Sequence, residues 1–316
     1  MPLPDSTEGT TEGLIDRAAA VVHPYWLLTF TALFWSGNAV VARALRDVIP
    51  PMAMSLWRWL LALAILLLLA WPALIRERAR LTAHWRVLLA LGVFGVAAYN
   101  ALLYSALQTT TATNGLLINA VTPVLIIVAE CVLFGVRLSL RRWAGVAAAL
   151  AGIVAVVTRG DPAALATLAL NRGDLLLLMA AVTWTVYTLA LRRLPAGLDP
   201  LAMLATTVGV GVVFLLPVFA WEYAAGARTQ WGTAAWLGVA YIGVFPSVLA
   251  YLFYNRGVQA VGGHRASMFL YLIPVFGIVL AIVFLGERLA WFHALGTALI
   301  FGGIALATIN RRAAVK

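Results

Sequence analysis

The sequence predicts an all-α integral membrane protein with ten transmembrane helices, built as two five-helix inverted repeats. Three observations lead there. The composition is too apolar for a water-facing surface, apolar runs of about 20 residues alternate with short polar links, and the second half of the chain resembles the first.

Of the 316 residues, 63% are hydrophobic and 11% are charged, against about half and a quarter in soluble domains. The charges that would coat a soluble surface are missing, so much of this surface must meet lipid. The 12 Trp, 9 Tyr and 13 Phe suit aromatic belts at two membrane interfaces. A net charge of +10 could point to nucleic acid. However, the 21 arginines and one lysine fall in short clusters between apolar runs, with no stripe or arm, so no nucleic-acid partner is expected. The single cysteine, Cys131, excludes an internal disulfide and a cysteine-based metal cluster.

The apolar windows predict helices over residues 25–45, 51–73, 87–107, 114–136, 142–159, 174–192, 200–222, 234–256, 265–286 and 290–309. Residues 1–24 carry Asp5, Glu8, Glu12 and Asp16 against Arg17 and contain no apolar run. They read as a disordered cytoplasmic tail, not a secretory signal. Leaving out Arg58, which sits inside a helix, 15 of the basic residues fall on the side holding both termini and 6 on the other. Both termini are therefore expected in the cytoplasm.

The repeat emerges on shifting the chain against itself. A shift of 149 residues brings Trp35 onto Trp184, Pro51 onto Pro200 and Met54 onto Met203. A shift of 151 brings Gly92-Val93-Phe94 onto Gly243-Val244-Phe245, Pro123 onto Pro274, Gly135 onto Gly286, and Gly152-Ile153 onto Gly303-Ile304. The first unit spans 25–160 and the second 174–310. Five is odd, so the second unit enters the membrane from the opposite side, giving a pseudo-two-fold axis in the membrane plane. Such an arrangement suits a transporter whose two copies exchange conformations around one central site.

Each unit carries a Pro–(11)–Gly–x–Arg–Leu run, at 123–138 and at 274–289. The second reads Gly286-Glu287-Arg288-Leu289 and leads into a glycine-rich last helix, with Gly296 and Gly302-Gly303. On these features the chain resembles the drug/metabolite transporter superfamily, in its EamA-like branch, from Tyr25 to Asn310. The resemblance implies a multi-pass protein of the bacterial inner membrane that exports amino acids, related metabolites or drugs. The first unit departs from the pattern, with Val136 where the second has Glu287.

Candidate substrate-binding residues are polar or aromatic groups at mid-span. Trp35 and Asn38 lie three apart on the first helix, and Trp184 and Tyr187 lie three apart on the sixth, so each pair shares a face. An amide or a phenol at that depth needs a partner, which a protein-lined cavity supplies. Tyr99, Asn100 and Tyr104 on helix three, with Tyr251 and Tyr254 on helix eight, extend the set. Asn119 on helix four and Tyr271 on helix nine complete it. These apolar-bodied, polar-tipped groups suit flat or amphipathic organic solutes, bulky or aromatic amino acids foremost. Interhelical packing bonds are the competing role. Pro123 and Pro274, near the middle of helices four and nine, are candidate hinges, with a static kink as the alternative. Arg58 is expected to snorkel to the outer interface, in preference to meeting an anionic substrate group. Glu130 is either a proton site or an inner-interface residue.

No bis-histidine pair, nucleophile motif or phosphate loop occurs within the spans, so no cofactor, metal, catalytic residue or ATP site is expected. The expected partners are a small-molecule substrate and the lipid bilayer, and the expected assembly is a monomer or weak homo-oligomer. Membrane carboxylates are few, which favours a facilitator working by alternating access. A drug/proton antiporter and an integral-membrane enzyme on lipid-linked substrates are the alternatives.

Overall fold

The computed structural model describes residues 23–135, 139–161, 163, 171–195, 197–261 and 269–308. The first half comprises α1 (Pro24–Ala44), α2 (Pro51–Ala83), α3 (Trp85–Leu91), a π-helical segment (Gly92–Ala98), α4 (Tyr99–Ala106), α5 (Ala112–Asn119), α6 (Thr122–Phe134) and α7 (Leu140–Val157). The second comprises α8 (Arg172–Leu191), α9 (Pro200–Ala224), α10 (Thr233–Val244), a second π segment (Phe245–Leu249), α11 (Ala250–Val261), a 3₁₀ turn (Phe269–Tyr271), α12 (Leu272–Leu285) and α13 (Trp291–Thr308). Among the described residues there is no strand. The tail before residue 23, the Arg137-Leu138 pair and the Glu130 side chain lie outside the described residues.

The chain is an all-helical membrane protein. Eight helical runs are long and apolar enough to cross a bilayer, counting Trp85–Ala106, Ala112–Leu133 and Thr233–Gly257 as single runs. Two shorter apolar helices, Phe269–Leu285 and Trp291–Leu306, occupy the ninth and tenth predicted positions. Large apolar side chains point outward along the runs, among them Trp26, Leu68, Trp71, Val132 and Phe284. In water such a surface would aggregate; in lipid it is the solvated face.

Local sequence explains the helix ends. Pro24, Pro51 and Pro200 stand in the first turn of α1, α2 and α9, where a missing N–H costs nothing. Asp199 caps α9 by accepting from the backbone N–H of Leu201 and Ala202 at 2.9 and 3.1 Å. Gly135 and Gly286 end α6 and α12 in left-handed backbone, with φ of 63° and 65°. That conformation favours glycine, which accounts for their match in the sequence shift.

Two predicted details change. Helix α2 runs 33 residues, through Pro72 to Ala83, not stopping at 73. Its polar end is held by the link between α8 and α9: Arg76 pairs with Asp199 at 2.8 Å, and Arg80 donates to the Gly197 carbonyl at 2.9 Å. Pro123 and Pro274 do not kink continuous helices. Each stands in the first turn of a helix that restarts after a break, α6 after Asn119 and α12 after the 3₁₀ turn. Proline fits there because first-turn N–H groups have no intrahelical acceptor.

The helices pack crosswise between the halves. α7 lies on α13 and α2 on α9, while α1 packs against α11 and α12, and α8 against α4, α5 and α6. Close approaches recur in pairs. A Cβ on Gly152 would lie 2.9 Å from the Gly296 carbonyl oxygen, and one on Gly303 would strike the Gly145 carbonyl. A Cβ on Gly92 would lie 2.5 Å from Val210, and one on Gly243 would lie 2.7 Å from Leu61.

Candidate functional site

The interior of the bundle is shaped by interrupted helices. A π segment or a break frees backbone carbonyls, and at membrane depth each must find a donor within the protein. Trp35 Nε1 donates to the Pro246 carbonyl at 3.0 Å, and Ser247 Oγ to the Ile242 carbonyl at 2.6 Å. In the other π segment, Asn100 Nδ2 donates to the Val96 carbonyl at 2.9 Å. Ser36 Oγ donates to the carbonyl of Ile273, just before Pro274, at 2.7 Å.

At the meeting point of α1, α2, α4 and the second π segment lies Arg58. Its residue is 4% exposed, and its guanidinium turns inward. Nε donates to Ser247 Oγ at 2.5 Å. Nη1 donates to Asn38 Oδ1 at 3.3 Å, Asn100 Oδ1 at 2.7 Å and the Tyr104 hydroxyl at 2.6 Å. Tyr104 in turn donates to Asn38 Oδ1 at 2.9 Å. The guanidinium carbon stands 4.5 Å from the ring centroid of Trp59. Every one of these partners is neutral, and no carboxylate among the described residues pairs with Arg58. Burying an uncompensated ion costs several kcal/mol even after relaxation. Arg58 therefore does not snorkel, as its sequence position suggested. Four neutral oxygens from three elements hold it in place.

Around this charge the candidate aromatics form two groups. Trp35 sets its ring against Tyr251 and Tyr254, each at 5.6 Å between centroids. Trp184 packs between Tyr99 and Tyr187, each at 4.9 Å, and Asn119 Nδ2 donates to the Tyr99 hydroxyl at 3.1 Å. Each group mixes the halves: Trp35 of the first meets Tyr251 and Tyr254 of the second, and Trp184 of the second meets Tyr99 of the first beside Tyr187 of its own helix. Trp35 donates to the Pro246 carbonyl beside Ser247, and Tyr99 precedes Asn100, so each group lies next to a partner of Arg58. Trp35, Tyr99, Trp184, Tyr251 and Tyr254 are each only partly buried, so some ring surface stays unpacked.

The structure brings Trp35, Tyr251 and Tyr254 together on one side, and Tyr99, Asn119, Trp184 and Tyr187 on the other. Asn38 and Asn100 are found elsewhere, spending their carbonyl oxygens on Arg58. Tyr271 places its ring 6.0 Å from Phe301 on α13. Pro274 is buried at the start of α12. Tyr104 and Ser247 join the centre. Ser247 gave no sequence signal, since one serine in an apolar run reads as a packing residue.

A second polar cluster gathers around Asn114, and its Asp174 and His293 were missed because they lie near helix ends. Asp174, fully buried in the first turn of α8, accepts from Thr110 and from Asn114 Nδ2, the latter at 3.3 Å. Asn114 Oδ1 meets His293 Nε2 at 3.1 Å. Close by, Glu287 accepts from the N–H groups of Ala112 and Thr113 at 2.8 and 3.0 Å, clamping the start of α5. Glu222 does the same for α2, through Met52 and Ala53 at 3.1 and 3.0 Å. Carboxylates at helix N-termini are favoured by the exposed N–H groups and the helix dipole. A cavity of about 230 Å³ lined by Trp57, Phe219, Glu222, Tyr223, Arg228 and Trp231 lies beside this second clamp. Its carboxylate is already committed to α2, so the central aromatics are the stronger candidate. Among the described residues, no group of three or more His, Cys, Asp or Glu is placed to hold a metal.

The model of the EamA-like transporter family matches residues 24–158 and again 171–309. The uncharacterized transporter YyaM of Bacillus subtilis is 25% identical over 284 residues, covering 90% of this chain and 93% of that protein. A probable terminal-alkyne amino-acid exporter of Streptantibioticus cattleyicolor is 30% identical over 287 residues, covering 91% and 93%. One solved crystal structure superposes with a TM-score of 0.59 at 26% identity, over 89% of this chain and 95% of the other.

Proposed function

This chain belongs to the EamA-like transporter family, and we propose that it exports bulky or aromatic amino acids across a bacterial inner membrane by alternating access. The observation that carries the substrate class is the pair of aromatic groups, Trp35–Tyr251–Tyr254 and Tyr99–Trp184–Tyr187, each next to a residue that holds a buried cation. The relative described as a probable amino-acid exporter supports the same class. Ring contacts favour solutes with a flat apolar part by roughly 0.5–1.5 kcal/mol beyond burial.

The cycle requires two units of five spans, inverted across the membrane plane, with both termini cytoplasmic. The paired close approaches support the inverted repeat. Under the 151-residue shift, the Gly152–Gly296 approach and the Gly303–Gly145 approach are one contact seen twice. The 92–210 and 243–61 approaches are likewise mates, under the two shifts together. Reciprocal contacts of this kind arise from a two-fold axis. The breaks preceding Pro123 and Pro274 are natural places for each unit to bend. A cysteine placed at the exposed Thr109, in a Cys131→Ser background, should react with an impermeant reagent from outside; reaction only from inside reverses the orientation.

Counterflow in proteoliposomes tests the substrate. Phenylalanine and tryptophan should exchange faster than threonine. Trp184→Ala should lose roughly two- to tenfold on the aromatic solutes and less on threonine, matching the worth of one ring contact. An equal loss on all three would return Trp184 to a packing role. Chemical conversion without flux would replace transport by catalysis.

A further inference from the structure

We propose that Arg58 is the anchor for the carboxylate of the transported solute, a reading that deepens the proposed export of amino acids and rests on it. The residue lies seven positions into α2, and a side chain of that length could have reached back toward the outer interface. It points the other way. Asn38, Asn100, Tyr104 and Ser247 supply oxygen acceptors and no charge. Three of these partners are themselves fixed. Asn100 donates to the Val96 carbonyl, Ser247 to the Ile242 carbonyl, and Tyr104 to Asn38. The guanidinium is thus positioned by groups that cannot neutralise it. Its remaining nitrogen, Nη2, has no hydrogen bond to a described residue, yet it is not among the fully buried unpaired atoms. A charged, preorganised donor with one face unspent is suited to a carboxylate, which guanidinium matches in shape and charge.

The neighbours favour an anion that comes and goes. Tyr251 packs on Trp35, which donates to the carbonyl of Pro246 beside Ser247, and Tyr99, which packs on Trp184, precedes Asn100, so both rings lie near partners of Arg58. A solute whose carboxylate reached the guanidinium would present its side chain to these rings. The negative charge enters with the solute and leaves with it. The protein supplies only neutral holders, so it need not break a salt bridge of its own to bind or release.

The test is competition against labelled phenylalanine counterflow, using the full-length protein in liposomes. The competitors are unlabelled phenylalanine, 3-phenylpropionate, phenylalaninamide and phenethylamine. The two carboxylates should compete at least about tenfold better than the two compounds lacking one, the usual size of losing a hydrogen bond to a charged group. Arg58→Gln should lose that discrimination, and Arg58→Lys should keep part of it. The wild-type panel decides even if the variants fail to fold. Equal potency of all four would overturn the anchor while leaving aromatic transport standing. Better competition by the compounds without a carboxylate would also overturn it. Absence of phenylalanine flux would remove the amino-acid reading and the anchor together.

Discussion

In the first half of the chain, α2 carries Arg58 where α1 and α4 turn an asparagine, an asparagine and a tyrosine inward. In the second half, the 149-residue shift leads from Arg58 to Thr207 on α9, equally buried, with a hydroxyl that has no partner. The two π segments match in place but not in chemistry. Asn100 satisfies the first from within its own half, whereas the second is satisfied by Ser247 and by Trp35 from the opposite half. Glu287 clamps α5, yet the first half has Val136 at that place in its sequence. Gly92, Gly145, Gly152 and Pro123 repeat at breaks and close approaches; Arg58, Asn100 and Glu287, which carry the buried polar contacts, do not. Repeated glycines and prolines set the scaffold, the repeated tryptophans Trp35 and Trp184 line it, and unrepeated residues hold the charge. Two halves exchanging shapes would therefore move similar walls around a charge that belongs to one of them.

The strongest way to break this comparison is to attack the scaffold. Gly152→Leu would drive a side chain into the Gly296 carbonyl, Ile300 and Leu299, all about 2.9 Å from the new Cβ. Overpacking typically costs about 1–3 kcal/mol, and a rigid backbone wall places this case at or above the top of that range. The expected result is loss of the monodisperse peak in detergent or a large drop in unfolding temperature. Gly302→Leu, with nothing within 4 Å of its Cβ, should leave both unchanged. Equal damage from the two would mean that the α7–α13 contact is not what holds the halves together.

The second test moves to the site. Ser247→Ala removes the partner of Arg58 Nε and frees the Ile242 carbonyl. Hydrogen bonds to charged groups contribute about 1.5–3 kcal/mol, so KM for an aromatic amino acid should rise at least about tenfold. The maximal rate should fall less. A fall in rate alone would assign Ser247 to the moving parts and not to the ground-state site.

Much of the scaffold was legible from residue types. Apolar windows located the helices because a bilayer demands about 20 apolar residues per crossing. Gly135 and Gly286 marked helix ends because left-handed backbone favours glycine. The aromatic candidates were legible for the same kind of reason, since polar-tipped rings at mid-span must face protein. The direction of Arg58 was not. Snorkelling and inward anchoring place the same residue at the same depth, and only the partners from α1, α4 and the π segment separate them. The π segments were also hidden, because a π turn is a property of helix packing and leaves no fixed residue pattern. Asp174 and His293 were passed over as helix-end residues, although both side chains are buried.

A smaller effect is expected at the clamps. Glu287→Gln keeps one acceptor for the N–H groups of Ala112 and Thr113 but loses the charge, which contributes about 0.3–1 kcal/mol at a helix N-terminus. Thr113 is buried beneath this clamp, so a cysteine placed there, in a Cys131→Ser background, reports opening. Its labelling rate from outside should rise about two- to fivefold in Glu287→Gln, following that energy. Glu222→Gln, which clamps α2 instead, should change it less. Equal rates in both variants would make the two clamps one gate.

The smallest effect sharpens the comparison most. Thr207 is buried and its Oγ1 has no partner, so its hydroxyl carries a desolvation cost of about 1–3 kcal/mol with no bond in return. Thr207→Val keeps the branched shape and removes that cost. Val and Thr are usually poor exchanges because the hydroxyl has a bond to lose, and here it has none. The unfolding temperature should therefore hold or rise slightly, and phenylalanine flux should stay within about twofold of the unmodified protein, since RT ln 2 is well below one hydrogen bond. Its repeat mate Arg58 should behave in the opposite way, because its removal would strip hydrogen bonds from Asn38, Asn100, Tyr104 and Ser247. If Thr207→Val keeps its stability but loses flux, the hydroxyl must find its partner in another state of the cycle. The second half would then contribute a polar group of its own to the moving site, and the division between repeated scaffold and unrepeated chemistry would fail at the position where it is drawn most sharply.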